Sequence, residues 1–112
     1  MQYALLIYGS DDGWRQLGED ERQAQMGEYM ALSQRSETRG GAELDELESA
    51  TTVRVDNGDT ITTDGPFAET KEYLGGFYLV ECANLDDAIA FAAKIPAARN
   101  GGAIEVRPVV EH

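Results

Sequence analysis

The stretch GGFYLVECANLDDAIAFAAKIPAARNGGAIEVRPVV, residues 75–110, spells out a strand, a helix and a second strand. Its first part, GFYLVEC, joins aromatic and β-branched residues behind a double glycine, which predicts a strand. Asn84 then offers a side-chain oxygen to cap a helix, with Asp87 three residues on. Leu85, Ala88, Ile89 and Ala92 recur at i, i+3, i+4 and i+7, so the helix carries an apolar stripe that has to lie on a sheet. Pro96 forbids its continuation. Beyond the turn AARNGG, Ile104 and Val106 alternate with Glu105 and Arg107 as in a half-buried strand. Pro108 has no N–H to donate, which puts that end at a sheet edge or beyond pairing.

The rest of the chain fits around this unit. YALLIY, residues 3–8, is a nearly unbroken apolar run, as expected of a central strand. Residues 19–39 contain no proline and place Met26, Tyr29, Met30 and Leu32 or Ser33 near helical spacing. Three acids, Glu19, Asp20 and Glu21, stand at the positive end of that predicted helix, and Gly40-Gly41 offers a stop. GAELDELES, residues 41–49, reads as a loop or short edge element. TTVRV and DTITT flank Asn57-Gly58, a dipeptide that adopts the positive φ angles of a type I′ turn, so residues 51–63 read as a β-hairpin leading into Asp64. The plan is βαββαβ with an extra hairpin, an α+β arrangement with both helices on one face of an antiparallel sheet. Its other face is left bare and apolar, and a second copy of the same sheet is the simplest cover. A homodimer with facing sheets is therefore expected.

At 112 residues the chain fits a single domain over residues 1–112. Twenty-one acids against nine bases give a net charge of −12, which argues against nucleic acid, since phosphate binding needs clustered Lys and Arg. No apolar run approaches a membrane span and the first residues lack a signal-peptide pattern, so a cytoplasmic protein without a membrane partner is expected. The one cysteine, Cys82, lies in an apolar run and reads as a packed thiol. No Cys/His cluster or calcium-loop pattern is present, so no metal or other cofactor is expected.

Two stretches, TDGPFAETKEYLGGFYLVE at residues 63–81 and LDDAIAFAAKIPAARNGGAIEVRPV at residues 85–109, resemble the DGPF-motif branch of the YCII-related (YciI-like) family. The matching residues are Asp64-Gly65-Pro66-Phe67, Glu69-Thr70-Lys71-Glu72, Gly75-Gly76-Phe77, Ile95-Pro96-Ala97-Ala98-Arg99 and Glu105-Val106-Arg107-Pro108, with LLIYG and ATTVR in support. The resemblance implies a ferredoxin-like α+β fold that dimerises into an α+β barrel. The wider family is largely uncharacterised and includes a member acting on chlorinated aromatic ring-cleavage intermediates. DGPF-type members are often encoded beside extracytoplasmic-function sigma factors, which makes such a factor a candidate partner. In shorter YciI-type relatives a His and Asp pair is proposed as catalytic; this sequence has Asp64 at the motif and its only histidine at His112.

Each candidate residue has a structural role to weigh against a functional one. Asp64 before Gly-Pro suits a turn, and as the catalytic candidate it would be a general acid or base, needing burial to lift a carboxylate toward neutral pH. Lys71 could hold an anionic ligand or pair with Glu69 or Glu72. Arg99 could bind a substrate carboxylate, a nearby acid or backbone carbonyls. Phe67 and Tyr8 are candidate walls of a site for a planar molecule and Trp14 is a candidate lid, although Phe67 is more simply core and Tyr8 and Trp14 more simply core or dimer contacts. Gly75 and Gly76 serve a bulge or a close approach to a ligand. The expected function is an enzyme-like pocket for a polar cyclic or aromatic metabolite; the alternative is a non-catalytic ligand-binding or regulatory module.

Overall fold

A computed structural model describes residues 1–10, 13, 15–68 and 71–112. Along the chain come β1 (Gln2–Gly9), α1 (Glu19–Ser33), β2 (Thr38–Glu43), β3 (Thr51–Asp56), β4 (Asp59–Asp64), β5 (Tyr73–Glu81), α2 (Leu85–Ala92) and β6 (Ala103–Pro108), with short 3-10 turns at Leu47–Ser49 and Pro96–Ala98. Strands β2, β5, β1 and β6 form one antiparallel sheet in that order, while β3 and β4 form a separate two-stranded ribbon. The fold is mixed α+β, with the two helices α1 and α2 of the described elements packed on an antiparallel sheet.

Register decides which residues meet the helices. Tyr3 stands opposite Val80 and Leu5 opposite Tyr78 and Val106, so these side chains share one face. Leu32 of α1 and Ala88, Phe91 and Ala92 of α2 join them, with Ile95, in the cluster of buried apolar side chains. Both helices therefore cover the same face. Leu5, Val80 and Ile95 are fully buried, and each such side chain contributes about 1.5–3 kcal/mol by leaving water. Phe91 meets the Tyr78 ring edge-on at 6.0 Å. The opposite face presents Ala4, Leu6, Phe77 and Leu79, half-buried among themselves. None of the described elements covers it.

The helix over residues 85–92 is capped as its sequence predicts, with the Asp87 N–H donating to Asn84 Oδ1 at 3.0 Å. Pro96 opens the 3-10 turn that replaces a further helical turn. The hairpin also forms as expected, with Asn57 and Gly58 at φ 49° and 83°. Pro108 ends β6, an edge strand.

The first helix is shorter than expected. It stops at Ser33 rather than near Arg39, because the last carbonyls are taken locally: Ser33 Oγ donates to Met30 O, Thr38 Oγ1 to Leu32 O, and the Gln34 N–H to Ala31 O. The chain is then free to pair, and Thr38–Glu43 becomes the edge strand β2. Gly40 and Gly41 belong to this strand instead of terminating the helix. A Cβ on Gly76 would come within 2.8 Å of Ala42 O, so β2 and β5 approach more closely than a side chain there allows.

Candidate cleft between the first helix and the sheet

Helix α1 turns Gln25, Tyr29 and Leu32 inward at i, i+4 and i+7. Leu32, near the helix C-terminus, enters the core, whereas Gln25 and Tyr29 border a cavity of about 1220 Å3 between α1 and the β2–β5 side of the sheet. Met26 and Met30 line its helical wall, residues 38–43 and 75–78 its sheet wall, and Ser10 and Asn100 add polar groups. Gly75 marks the register shift in the β1–β5 ladder, where Ile7 faces Gly76 and Tyr8 faces Leu74. Together with Gly40, Gly41 and Gly76 it leaves a stretch of wall made of backbone.

Polar chemistry in the cleft comes from amides and phenols. Gln25 is 8% exposed and is the buried polar residue among those described. Its amide makes no hydrogen bond to the described residues, and neither polar atom is sealed from solvent. Burial pushes the Tyr29 phenol up, opposed by the Ala97 backbone and Arg99 and reinforced by Glu28 and Glu43. The Tyr78 hydroxyl donates to Tyr29 O at 2.8 Å, and burial pushes its pKa up to about 12. Both phenols thus stay protonated at neutral pH. Of the charged lining groups described, Arg39 is one guanidinium against the carboxylates of Glu43, Asp45 and Glu46. Arg39 is already engaged, donating to Ser36 O.

Asp64, Phe67, Lys71, Tyr8 and Arg99 do not line this cleft. Asp64 ends β4 at the base of the hairpin and is exposed, as are Phe67, at 79%, and Lys71. The turn itself is tied down next to Asp64, by Gly65 N–H to Ala50 O at 2.7 Å and Thr52 Oγ1 to Gly65 O at 2.8 Å. The Asp64 and Lys71 charges carry no ion pair among the described residues. Tyr8 lies near the end of β1, opposite Leu74 and Ala103. Arg99 forms an ion pair with Glu28, joining the 3-10 turn to α1. Arg107 pairs with Glu105 on its own strand, at 3.7 Å. Trp14 and Glu69 lie outside the described residues.

A second, smaller hollow of about 280 Å3 includes Cys82, Glu37, Asp87 and Lys94. Burial pushes the Cys82 thiol up, with Asp87 and Glu37 adding to it, and the side chain is a packed thiol. Among the described residues no group of three or more His, Cys, Asp or Glu is placed to hold a metal ion, and no helix is long and apolar enough to cross a membrane.

Comparison with known proteins bears on identity. An uncharacterised protein of Rhizobium meliloti (strain 1021) is 39% identical over 114 aligned positions, covering 97% of this chain and 92% of that protein. Among solved structures, 5-chloro-2-hydroxyhydroquinone dehydrochlorinase (TftG) from Burkholderia phenoliruptrix AC1100, in complex with 2,5-dihydroxybenzoquinone, is similar in fold. Its TM-score is 0.55 at 17% identity, over 100% of this chain and 96% of that one. The YCII-related domain model matches residues 1–112, and the chain belongs to the YCII-related family.

Proposed function

We propose that this protein is a small enzyme-like pocket protein acting on a polar cyclic or aromatic metabolite, bound in the cleft between α1 and β2–β5. The observation that carries the reading is the cleft: about 1220 Å3, walled by Tyr29, Tyr78, Met26 and Met30, with a few polar groups among them. That mixture suits a ring with polar substituents. The similarity in fold to TftG, whose name specifies a chlorinated hydroxyhydroquinone, agrees with a ring as ligand. The strand order β2-β5-β1-β6 supports a ferredoxin-like βαββαβ topology, and the sequence from Asp64 to Phe67 supports the DGPF branch.

In this reading Asp64 is the general acid or base, and Lys71, Arg99, Phe67 and Tyr8 contact the substrate. Asp64 and Lys71 are exposed and carry no ion pair among the described residues, which leaves them available to a ligand, and a second subunit is how they come to a cleft. The uncovered Ala4, Leu6, Phe77 and Leu79 face supports a homodimer with the two sheets facing. A cytoplasmic location belongs to the same reading.

Titrating ¹⁵N-labelled protein with hydroquinone and catechol tests the site: amide shifts should cluster at residues 25–30 and 75–78, and shifts confined elsewhere would refute it. With a turned-over ring in hand, Asp64→Asn should lose about 10²-fold or more in rate; full activity in a folded variant removes Asp64 as catalyst. Sedimentation tests the dimer, which Leu6→Glu should split. A second reading, a non-catalytic ligand-binding or regulatory module docking on an extracytoplasmic-function sigma factor, is favoured by one observation. Tyr29 and Tyr78 in the cleft are shifted upward, away from neutral pH, where they are poor proton carriers.

A further inference from the structure

Gln25 is a polar side chain where the packing would accept an apolar one. It is 92% buried, since 8% of it is exposed, and it borders the cleft without a hydrogen-bond partner among the described residues. Its polar atoms open onto the cleft instead of being sealed in the core, and they bond to none of the described residues, so the folded chain alone gains no hydrogen bond from glutamine here. A ligand would change that. The amide presents an acceptor oxygen beside an NH2 donor, and one ligand answers both at once when it carries a donor next to an acceptor on one edge.

The surroundings narrow the class further. Tyr29, one helical turn on, and Met26 and Met30 supply broad, polarizable surface suited to the face of a ring. Glu43, Asp45 and Glu46 outnumber Arg39, whose guanidinium is spent on backbone carbonyls, so an anion entering the cleft meets repulsion without a counter-ion. We propose that the cleft takes an uncharged planar ring bearing a carbonyl-type acceptor beside an N–H or O–H donor, held by Gln25 in a paired hydrogen bond. This rests on the reading of the cleft as a ligand site and specifies what that site selects.

The test uses the full chain, ¹⁵N-labelled, and three ring probes of similar size at millimolar concentration. These are 2-pyridone, which has the donor–acceptor edge, N-methyl-2-pyridone, which lacks the donor, and benzoate, which is an anion. The expected result is saturable shifts at residues 25–30 and 75–78 with 2-pyridone, about tenfold weaker binding of the other two, and about tenfold loss of 2-pyridone affinity in Gln25→Leu. That variant should melt no lower than the parent because no internal hydrogen bond is lost; Gln25→Met serves if Gln25→Leu does not fold. Equal binding of all three probes, unaffected by the substitution, overturns the donor–acceptor assignment while leaving the cleft a ligand site. Cleft amides unmoved by every probe overturn the ligand site itself. Folded variants that both melt several degrees lower would make Gln25 a structural residue and overturn the assignment by a third route.

Discussion

The four-stranded sheet and the β3–β4 ribbon both carry apolar side chains on alternate positions of one face, and their fates differ. In β1 and β5 the alternate side chains Tyr3, Leu5, Tyr78 and Val80 are at most 7% exposed. In the ribbon Val53 and Val55 share a face with Thr60 and Thr62 and remain 60% and 69% exposed, while Ile61 on the reverse is 46% exposed. Helices cover one face of the sheet; none of the described elements covers either face of the ribbon. A two-stranded hairpin is marginal in water by itself, so this one leans on its I′ turn and on the bonds at its base between Ala50, Thr52 and Gly65. Alternation therefore identifies a strand, whereas burial depends on what the rest of the chain brings to it.

The sharpest contrast should come from removing a side chain at the helix–sheet seam. Phe91 is 3% exposed, packs edge-on against Tyr78 and has the Arg35 guanidinium 5.8 Å from its ring centre. Phe91→Ala should destabilise the fold by about 3–5 kcal/mol in urea melts, the usual cost of an aromatic deletion in a core that cannot collapse around the void. A loss below about 1 kcal/mol would mean that α2 packs loosely and that the two regions differ less than their exposures indicate.

Legibility in the sequence follows the same divide. The unit from β5 through α2 to β6 could be read because each element announces itself twice, by its apolar spacing and by its punctuation: Asn84 as cap, Pro96 as stop, Pro108 at an edge. The hairpin could be read from Asn57-Gly58 alone. Strand β2 could not, since TRGGAE has two glycines and no apolar alternation, and what fixes it is backbone pairing with β5 at a separation only glycine permits. Helix α1 was half legible. Its start carries the expected acids, but Met26 and Met30, the residues that suggested its apolar face, are 44% and 60% exposed along the cleft, and a glutamine is the side chain that is buried. Gln25 left one faint signal, its place four and seven residues before Tyr29 and Leu32, on a helix whose apolar residues Met26 and Met30 point to a different face. The motif residues Asp64, Phe67 and Lys71 were legible as a loop, while their distance from the cleft is a property of the folded chain that no spacing encodes.

A middle-sized effect should come from the polar link between the two walls of the cleft. Tyr78→Phe removes the hydroxyl that donates to Tyr29 O and should cost about 1 kcal/mol. Alkaline pH probes the same group without mutation. Its folded pKa is raised from 10.0 to about 12, so the folded state holds the proton more tightly than the unfolded chain does. The resulting stability is complete below about pH 10 and declines as pH rises toward about 12. Urea melts between pH 9 and 12 should show that decline in the parent and a shallower one in Tyr78→Phe, Tyr29 retaining its own upward shift. Parallel curves for the two proteins would remove Tyr78 as their source.

The smallest effect belongs to the ribbon, and it is the most informative about the comparison. Val55→Thr keeps the β-branched shape and the strand propensity, and changes a side chain that is 69% exposed and opposite Thr60. In dilute protein it should move stability by less than about 0.5 kcal/mol, as expected of a surface position with no buried partner. The measurement is then repeated at increasing protein concentration. If the cost stays small throughout, the ribbon remains exposed and its valines serve only strand propensity. A cost that grows with concentration would show the Val53 and Val55 face being covered by another copy, because association makes the cost of a substitution depend on concentration only when the altered group takes part in it. The ribbon would then be a second packed region whose core is shared between subunits, and the contrast with the four-stranded sheet would reduce to where the covering surface comes from.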